Sequence, residues 1–155
     1  MCHCFGELHL SMQRSGGRMA TATISRQMLS AHPLTGDVDQ DVLAECITAC
    51  FECAQSCTAC ADACLSEEDV SDLRKCIRLN MDCADICNAT GRVVTRQTGY
   101  DAPTTNAQLT SCQMACATCA EECERHAGHH EHCRICAESC RRCEQACTLL
   151  LEAMK

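Results

Sequence analysis

The sequence predicts an all-α protein, an antiparallel up-down-up-down four-helix bundle with a cysteine-lined core and a short extra helix ahead of it. Three observations carry that expectation. In CITACFECAQSCTACADAC, residues 46–64, cysteines recur at gaps of 4, 3, 4, 3 and 4, and a mean step near 3.5 is the period of one helix face, not the strand period of 2. Four long segments keep this rhythm across short connections, which make successive helices antiparallel neighbours. The 155 residues include no Trp, one Tyr and two Phe but 20 Cys, so thiols stand where leucine fills an ordinary bundle seam.

Residues 1–18, MCHCFGELHLSMQRSGGR, share no pattern with the rest. Met19 opens a stretch that reads like an ordinary N-terminus, so the first 18 residues are expected to be a disordered or mis-assigned extension. Cys2-His3-Cys4 has metal-binding composition but lies outside the helical pattern. Residues 19–37 form an N-terminal segment with a short helix over 22–32, ended by Pro33. The bundle domain is expected over 38–155.

Its first helix spans about 38–65, after the turn and cap residues of PLTGDVDQD. The second spans about 69–97, with Ser66 and Asp69 spaced as an acidic capping box. Gly91 is its weak point, because a glycine inside a helix costs up to about 1 kcal/mol. The third spans about 105–127, after Gly99 and Pro103, and the fourth about 129–153, after the helix-ending Gly128.

The ladders read as follows. The first helix carries Cys46, Cys50, Cys53, Cys57, Cys60 and Cys64; the second carries Cys76, Cys83 and Cys87, with Asn80 in the rung between. The third carries Cys112, Cys116, Cys119 and Cys123, and the fourth Cys133, Cys136, Cys140, Cys143 and Cys147. Cysteine as a small buried hydrophobe explains one or two per helix, not eighteen in register.

Composition narrows the chemistry. Net charge is −8, which argues against nucleic acid and anionic membranes as partners. No stretch approaches the ~20 apolar residues of a membrane span, and no secretory or twin-arginine signal is visible. The expected compartment is the cytoplasm, where thiols stay reduced. A disulfide ladder within one helix fails on geometry, since i,i+3 and i,i+4 neighbours have Cβ atoms about 5–6 Å apart and a disulfide needs about 3.5–4.5 Å; spacing leaves interhelical disulfides open, and the compartment argues against them.

Iron–sulfur clusters prefer compact loop runs of cysteine. Zinc wants closed quartets on turns, whereas one helical stripe supplies pairs. A thiol redox enzyme or sensor needs an accessible low-pKa thiol, and these face inward, with no catalytic Ser/His/Asp set or phosphate loop beside them. Cu(I) fits best. Soft thiolates select it, two or three ligands suffice, and a thiolate bridges two ions. Loading then approaches ~1 ion per thiol, with one proton released for each charge taken in.

Stacking the rungs puts Cys64, Leu73, His126 and His129 in one end layer and Cys60, Cys76, Cys123 and Cys133 in the next. At the far end Cys46, Cys87, Cys112 and Cys147 precede an apolar plug of Leu43, Thr90, Leu109 and Leu150, with Val94 nearby. His126 and His129 keep ladder phase and are expected to form the way in for copper. His130 and His132 are expected to be solvated. Met28, Met81, Met114 and Met154 are expected to pack rather than ligate, and Arg141 and Arg142 to be solvated or interface cations.

The C-x3-C-x2-C-x3-C ladders on four helices, with HAGHHEHCRICAESCRRCEQAC at 126–147, resemble the bacterial four-helix-bundle copper storage proteins. The lack of an export signal resembles their cytosolic branch. The likeness covers roughly residues 38–153. It implies non-catalytic storage and buffering of many Cu(I) ions per chain, the eighteen ladder cysteines as ligands, a homotetramer, and a copper chaperone as a candidate partner.

Overall fold

A computed structural model describes residues 23–34 and 36–155. The expectations for residues 1–18, for Cys2 and Cys4, and for the first residue of the short helix fall outside these. Among the described residues there are five helices and no strand: α1 Ile24–Ser30, α2 Gln40–Leu65, α3 Arg74–Thr95, α4 Ala102–His126 and α5 Glu131–Ala153. None is long and apolar enough to cross a membrane.

Local chemistry sets most helix starts. The Thr23 hydroxyl accepts from Arg26 N at 3.3 Å and opens α1. The Asp39 carboxylate accepts from Asp41 N at 2.7 Å and Val42 N at 3.3 Å and opens α2. The Asp101 carboxylate accepts from Thr104 N at 2.8 Å, so α4 begins three residues earlier than expected. Pro103 is absorbed in the first turn, where a missing N–H costs nothing.

The second helix departs from expectation. Ser66 caps the C-terminus of α2 instead of opening α3. Its hydroxyl donates backwards, to Asp62 O at 3.4 Å, so no capping box forms with Asp69. Residues 67–73 stay in turns, with Asp72 N bonded to Asp69 O and Leu73 N to Val70 O. Helix α3 therefore starts at Arg74, with Leu73 as a cap that makes no side-chain bond.

Four helices close a ring in which α2 packs on α3, α3 on α4, α4 on α5 and α5 back on α2, with α1 against α2. Thiol contacts fix the directions. Along α2 and α5 the pairs are Cys46–Cys147, Cys53–Cys140 and Cys60–Cys133. Along α3 and α4 they are Cys76–Cys123, Cys83–Cys116 and Cys87–Cys112. Partner numbers fall as the others rise, so both pairs run antiparallel.

The core is sulfur. The largest fully buried side chains are Leu73, Leu109, Leu150, Asn80 and Thr90, and after these come cysteines. Leu43, Thr90, Val94, Leu109 and Leu150 are buried together at one end, as expected for a plug. The Thr90 hydroxyl donates to Ile86 O at 2.7 Å and accepts from Gln108 Nε2 at 2.9 Å, so the plug holds no unsatisfied polar group. Leu29 of α1 joins the same buried cluster.

Gly91 is not merely a weak point. A Cβ there would lie 3.0 Å from Phe51 Cζ and 3.3 Å from Cys50 Cβ, so its bareness lets α3 approach α2. Gly91→Leu should lower stability by about 2 kcal/mol, overpacking outweighing the gain in helix propensity. A denaturant midpoint equal to that of the wild type would show that the two helices part freely.

Ion pairs fasten the outside. Arg141 bonds Glu124 at 2.8 Å and Glu144 at 3.0 Å, tying α5 to α4. Arg142 bonds Glu45 at 2.9 Å and also Glu52, tying α5 to α2. Three methionines expected to pack do not: Met28, Met81 and Met114 are exposed, and only Met154 rests against the core.

Candidate metal centre

All eighteen ladder cysteines are free, and all are buried. None is more than 2% exposed. Their Sγ atoms lie 3.4–4.0 Å apart across helices, from Cys87–Cys116 at 3.4 Å and Cys57–Cys140 at 3.5 Å to Cys53–Cys83 at 4.0 Å. An S–S bond is about 2.05 Å long, so these are thiols in van der Waals and weak hydrogen-bonding contact.

Thiol clusters occur in quartets whose sulfurs all lie within 4.8 Å of one another. Cys50, Cys112, Cys143 and Cys147 form one; Cys53, Cys87, Cys116 and Cys143 the next; then Cys53, Cys57, Cys83 and Cys140; and then Cys57, Cys119, Cys136 and Cys140. Near the other end comes Cys60, Cys64, Cys76 and Cys133. Reading one helix at a time gave pairs, which weighed against zinc; closing four helices makes quartets. The first four share corners in succession, through Cys143, then Cys53, then Cys57 and Cys140, while the quartet of Cys60, Cys64, Cys76 and Cys133 shares none with them. Isolated tetrahedral zinc sites share none, whereas bridging thiolates suit Cu(I).

The thiols titrate as a network. Hydrogen bonds from neighbouring thiols, Cys116 first, pull the Cys53 and Cys83 thiols far down. The Cys116 thiol is pushed up by Cys112 and its other neighbours. At the end away from the plug, burial comes first: it raises Cys133 and pushes Cys64 up to about 11, with the nearby charge of Cys76 adding to both. Among the described residues, every thiol whose pKa is depressed is buried, whereas a reactive redox thiol is an accessible one.

Asn80 sits fully buried in the rung where α3 lacks a thiol. Its Nδ2 donates to Cys76 O at 2.9 Å and to Cys76 Sγ at 3.3 Å, and its Oδ1 accepts from Cys136 Sγ at 2.9 Å and Cys119 Sγ at 3.4 Å. It is thus bonded to sulfur on α3, α4 and α5, and also on α2 through Cys60 at 3.6 Å. Asn80→Cys should add ~1 Cu(I) to the saturation count, each thiol adding about one bridging ligand. An unchanged count would mean that this rung is unsuited to metal.

The end opposite the plug carries imidazoles, but not the pair expected. The Nδ1 atom of His132 lies 3.4 Å from the sulfurs of Cys60 and Cys133 and 3.9 Å from that of Cys64. His132 therefore takes the place in the Cys64 layer that phase counting gave to His129, and His129 is exposed. The cause is the start of α5 at Glu131, with His130 as its cap; counting back from Cys133 at helical pitch runs off the helix before reaching His129. His126 is partly buried, with Nε2 3.4 Å from Glu122 Oε1.

His130 faces Glu67 at 3.2 Å and Asp69 at 3.5 Å. His126, His130 and His132 form a row with ring centroids 6.5 and 5.4 Å apart. His130 and His132 were expected to be solvated. Their signal lay in the position of the helix start, which puts both beside the first thiol of α5. Hydrogen bonds from His132, then His130, hold the Glu67 carboxyl below its usual range. Glu122, nearly buried, is lowered chiefly by Lys75 at 2.8 Å.

Fold and site together define a class: a helical bundle whose interior is a chain of linked thiol quartets, suited to holding several soft metal ions at once. The profile of the copper storage protein family, Csp, matches residues 39–152, and the chain belongs to that family. It is 58% identical to the copper storage protein Ccsp of Streptomyces lividans loaded with 10 copper equivalents, covering 83% of this chain and 98% of that one at a TM-score of 0.82. A second structure, of a cytosolic copper storage protein from Streptomyces lividans with five coppers, is 62% identical over 72% of this chain and 93% of that one, TM-score 0.71. The Cu(I)-bound copper storage protein BsCsp3 is 34% identical over 68% and 93%, TM-score 0.60.

Proposed function

We propose that this chain is a non-catalytic store and buffer of Cu(I), filling its core through the eighteen ladder thiols. The observation that carries this is the run of quartets sharing corners, all of them buried and free of disulfides. A bridging thiolate that touches two ions brings capacity to ~18 per chain, one proton leaving for each ion. A soft monovalent ion keeps the filled core near neutral, where uncompensated buried thiolates would be prohibitive.

Copper enters and leaves at the end bearing His126, His130 and His132, where neutral imidazole offers a weaker and more exchangeable ligand than thiolate. The opposite end presents Leu43, Leu109 and Leu150, which hold no ligand and repel a hydrated ion. The thiol chemistry requires a reducing compartment, in keeping with a cytoplasmic store, as the cytosolic Streptomyces relative is described. The working form is a homotetramer fed by a copper chaperone.

Anaerobic titration against a chromogenic Cu(I) chelator tests the reading. Saturation is expected near ~18 ions per chain, about one for each thiol. Saturation at about four or fewer ions, or bound zinc that Cu(I) does not displace, would sink it.

A further inference from the structure

We propose that Glu67 is the positioning residue of the copper mouth, holding His132 in the tautomer whose Nδ1 lone pair faces the outermost thiols. The inference rests on the storage reading above and deepens it.

Glu67 lies in the connection between α2 and α3, against the start of α5. Its Oε1 is 3.1 Å from His132 Nε2, while His132 Nδ1 is 3.4 Å from Cys60 and Cys133 Sγ. A carboxylate only accepts, so the imidazole must place its proton on Nε2 to make that bond. Nδ1 is then left as an acceptor, free to take a thiol proton or to ligate a soft ion arriving at the three sulfurs. A ligating histidine whose other nitrogen donates to a carboxylate is fixed in both tautomer and ring orientation, and loss of such a partner costs about 10–100-fold in metal affinity or activity.

The same Oε1 stands 3.2 Å from His130 Nδ1, so one carboxylate aligns two rings of the row. Without Glu67, His132 is free to rotate or to carry its proton on Nδ1. An N–H would then point at the sulfurs that must receive the metal. Glu67 is 37% exposed and supplies no sulfur to the core, so its loss acts on the imidazoles of the mouth and leaves the thiols themselves in place.

The test compares metal-free wild type, Glu67→Ala and Glu67→Gln by two readouts. The first is the 15N shifts of His132, which report the protonated nitrogen. The second is the stopped-flow rate of Cu(I) uptake from a weak Cu(I) complex, with capacity taken from the endpoint. Wild type should show Nε2–H. Glu67→Ala should gain Nδ1–H and load about tenfold more slowly. Glu67→Gln, whose amide oxygen still accepts, should recover much of both.

The same tautomer in all three proteins would overturn the proposal. So would uptake by Glu67→Ala within about twofold of wild type, against the tenfold loss expected. Slower uptake with an unchanged tautomer would assign the effect to general disturbance and overturn it too. A wild type that saturates at about four ions or fewer, far from one per thiol, would instead bring down the storage reading and this one with it. The two failures are told apart because wild-type capacity is read in the same run.

Discussion

Saturating the metal-free protein with Cu(I) should raise its melting midpoint by ~20 °C or more. The argument begins with what the empty core lacks. Eighteen positions that would carry leucine carry the much smaller cysteine side chain, and among the described aliphatic residues Leu73, Leu109 and Leu150 are the large ones that are fully buried. Dispersion and apolar burial are correspondingly small. Filling reverses this, because ions binding the folded thiol quartets bind an extended chain far less well. One site held at a thousand times its dissociation constant contributes about 4 kcal/mol. Several linked quartets contribute several times that, and each kcal/mol moves the midpoint by a few degrees in a chain of this size. Circular dichroism melts of the empty and loaded forms, without oxygen, check it. A shift under about 5 °C, little more than one kcal/mol, would mean that the quartets are only loosely engaged by copper.

His132→Ala should slow Cu(I) uptake, and removal by a chelator, by about tenfold or more, while the endpoint falls by no more than ~1 ion. The imidazole touches three thiols at the mouth and none deeper in the core, so it governs passage and not holding. His129→Ala is the matched control, since His129 is exposed; its rates should stay near those of the wild type. Trimming Leu43 and Leu150 to Ala enlarges the other end but installs no ligand, and should leave uptake unchanged. Normal rates in His132→Ala together with faster uptake in the trimmed variant would place the way in at the plug.

Most of this was legible in the sequence, for a physical reason. A 3.5-residue rhythm of one residue type shows both that the segment is a helix and which face turns inward, so Cys46 to Cys147 and the plug of Leu43, Thr90, Leu109 and Leu150 could be placed before any coordinates. What escaped lies where helical phase stops. The Ser66–Asp69 spacing looked like a cap, yet Ser66 bonds back to Asp62 and the chain turns for another seven residues before α3 begins. The same loss of phase misplaced the histidines. Spacing cannot see a side chain that reaches sideways from the first turn of α5, and so it favours His129 over His132, which is adjacent in sequence to Cys133. Glu67 carried no signal at all, because its partners are 63 and 65 residues away. The quartets were likewise invisible, because each draws its sulfurs from three or more helices.

The corners shared between quartets have a kinetic consequence. On the storage reading proposed above, a sulfur that belongs to two quartets can take hold of one ion before it releases the last, so copper would move along the four corner-sharing quartets by exchange of partners. If copper enters and leaves at the histidine end alone, as proposed, the core behaves as a stack. The ion pressed in first travels farthest, to the rungs beside Leu109 and Leu150, and comes out last. Two copper isotopes supplied in succession would therefore leave in reverse order, and the age of each stored ion would be written in its depth.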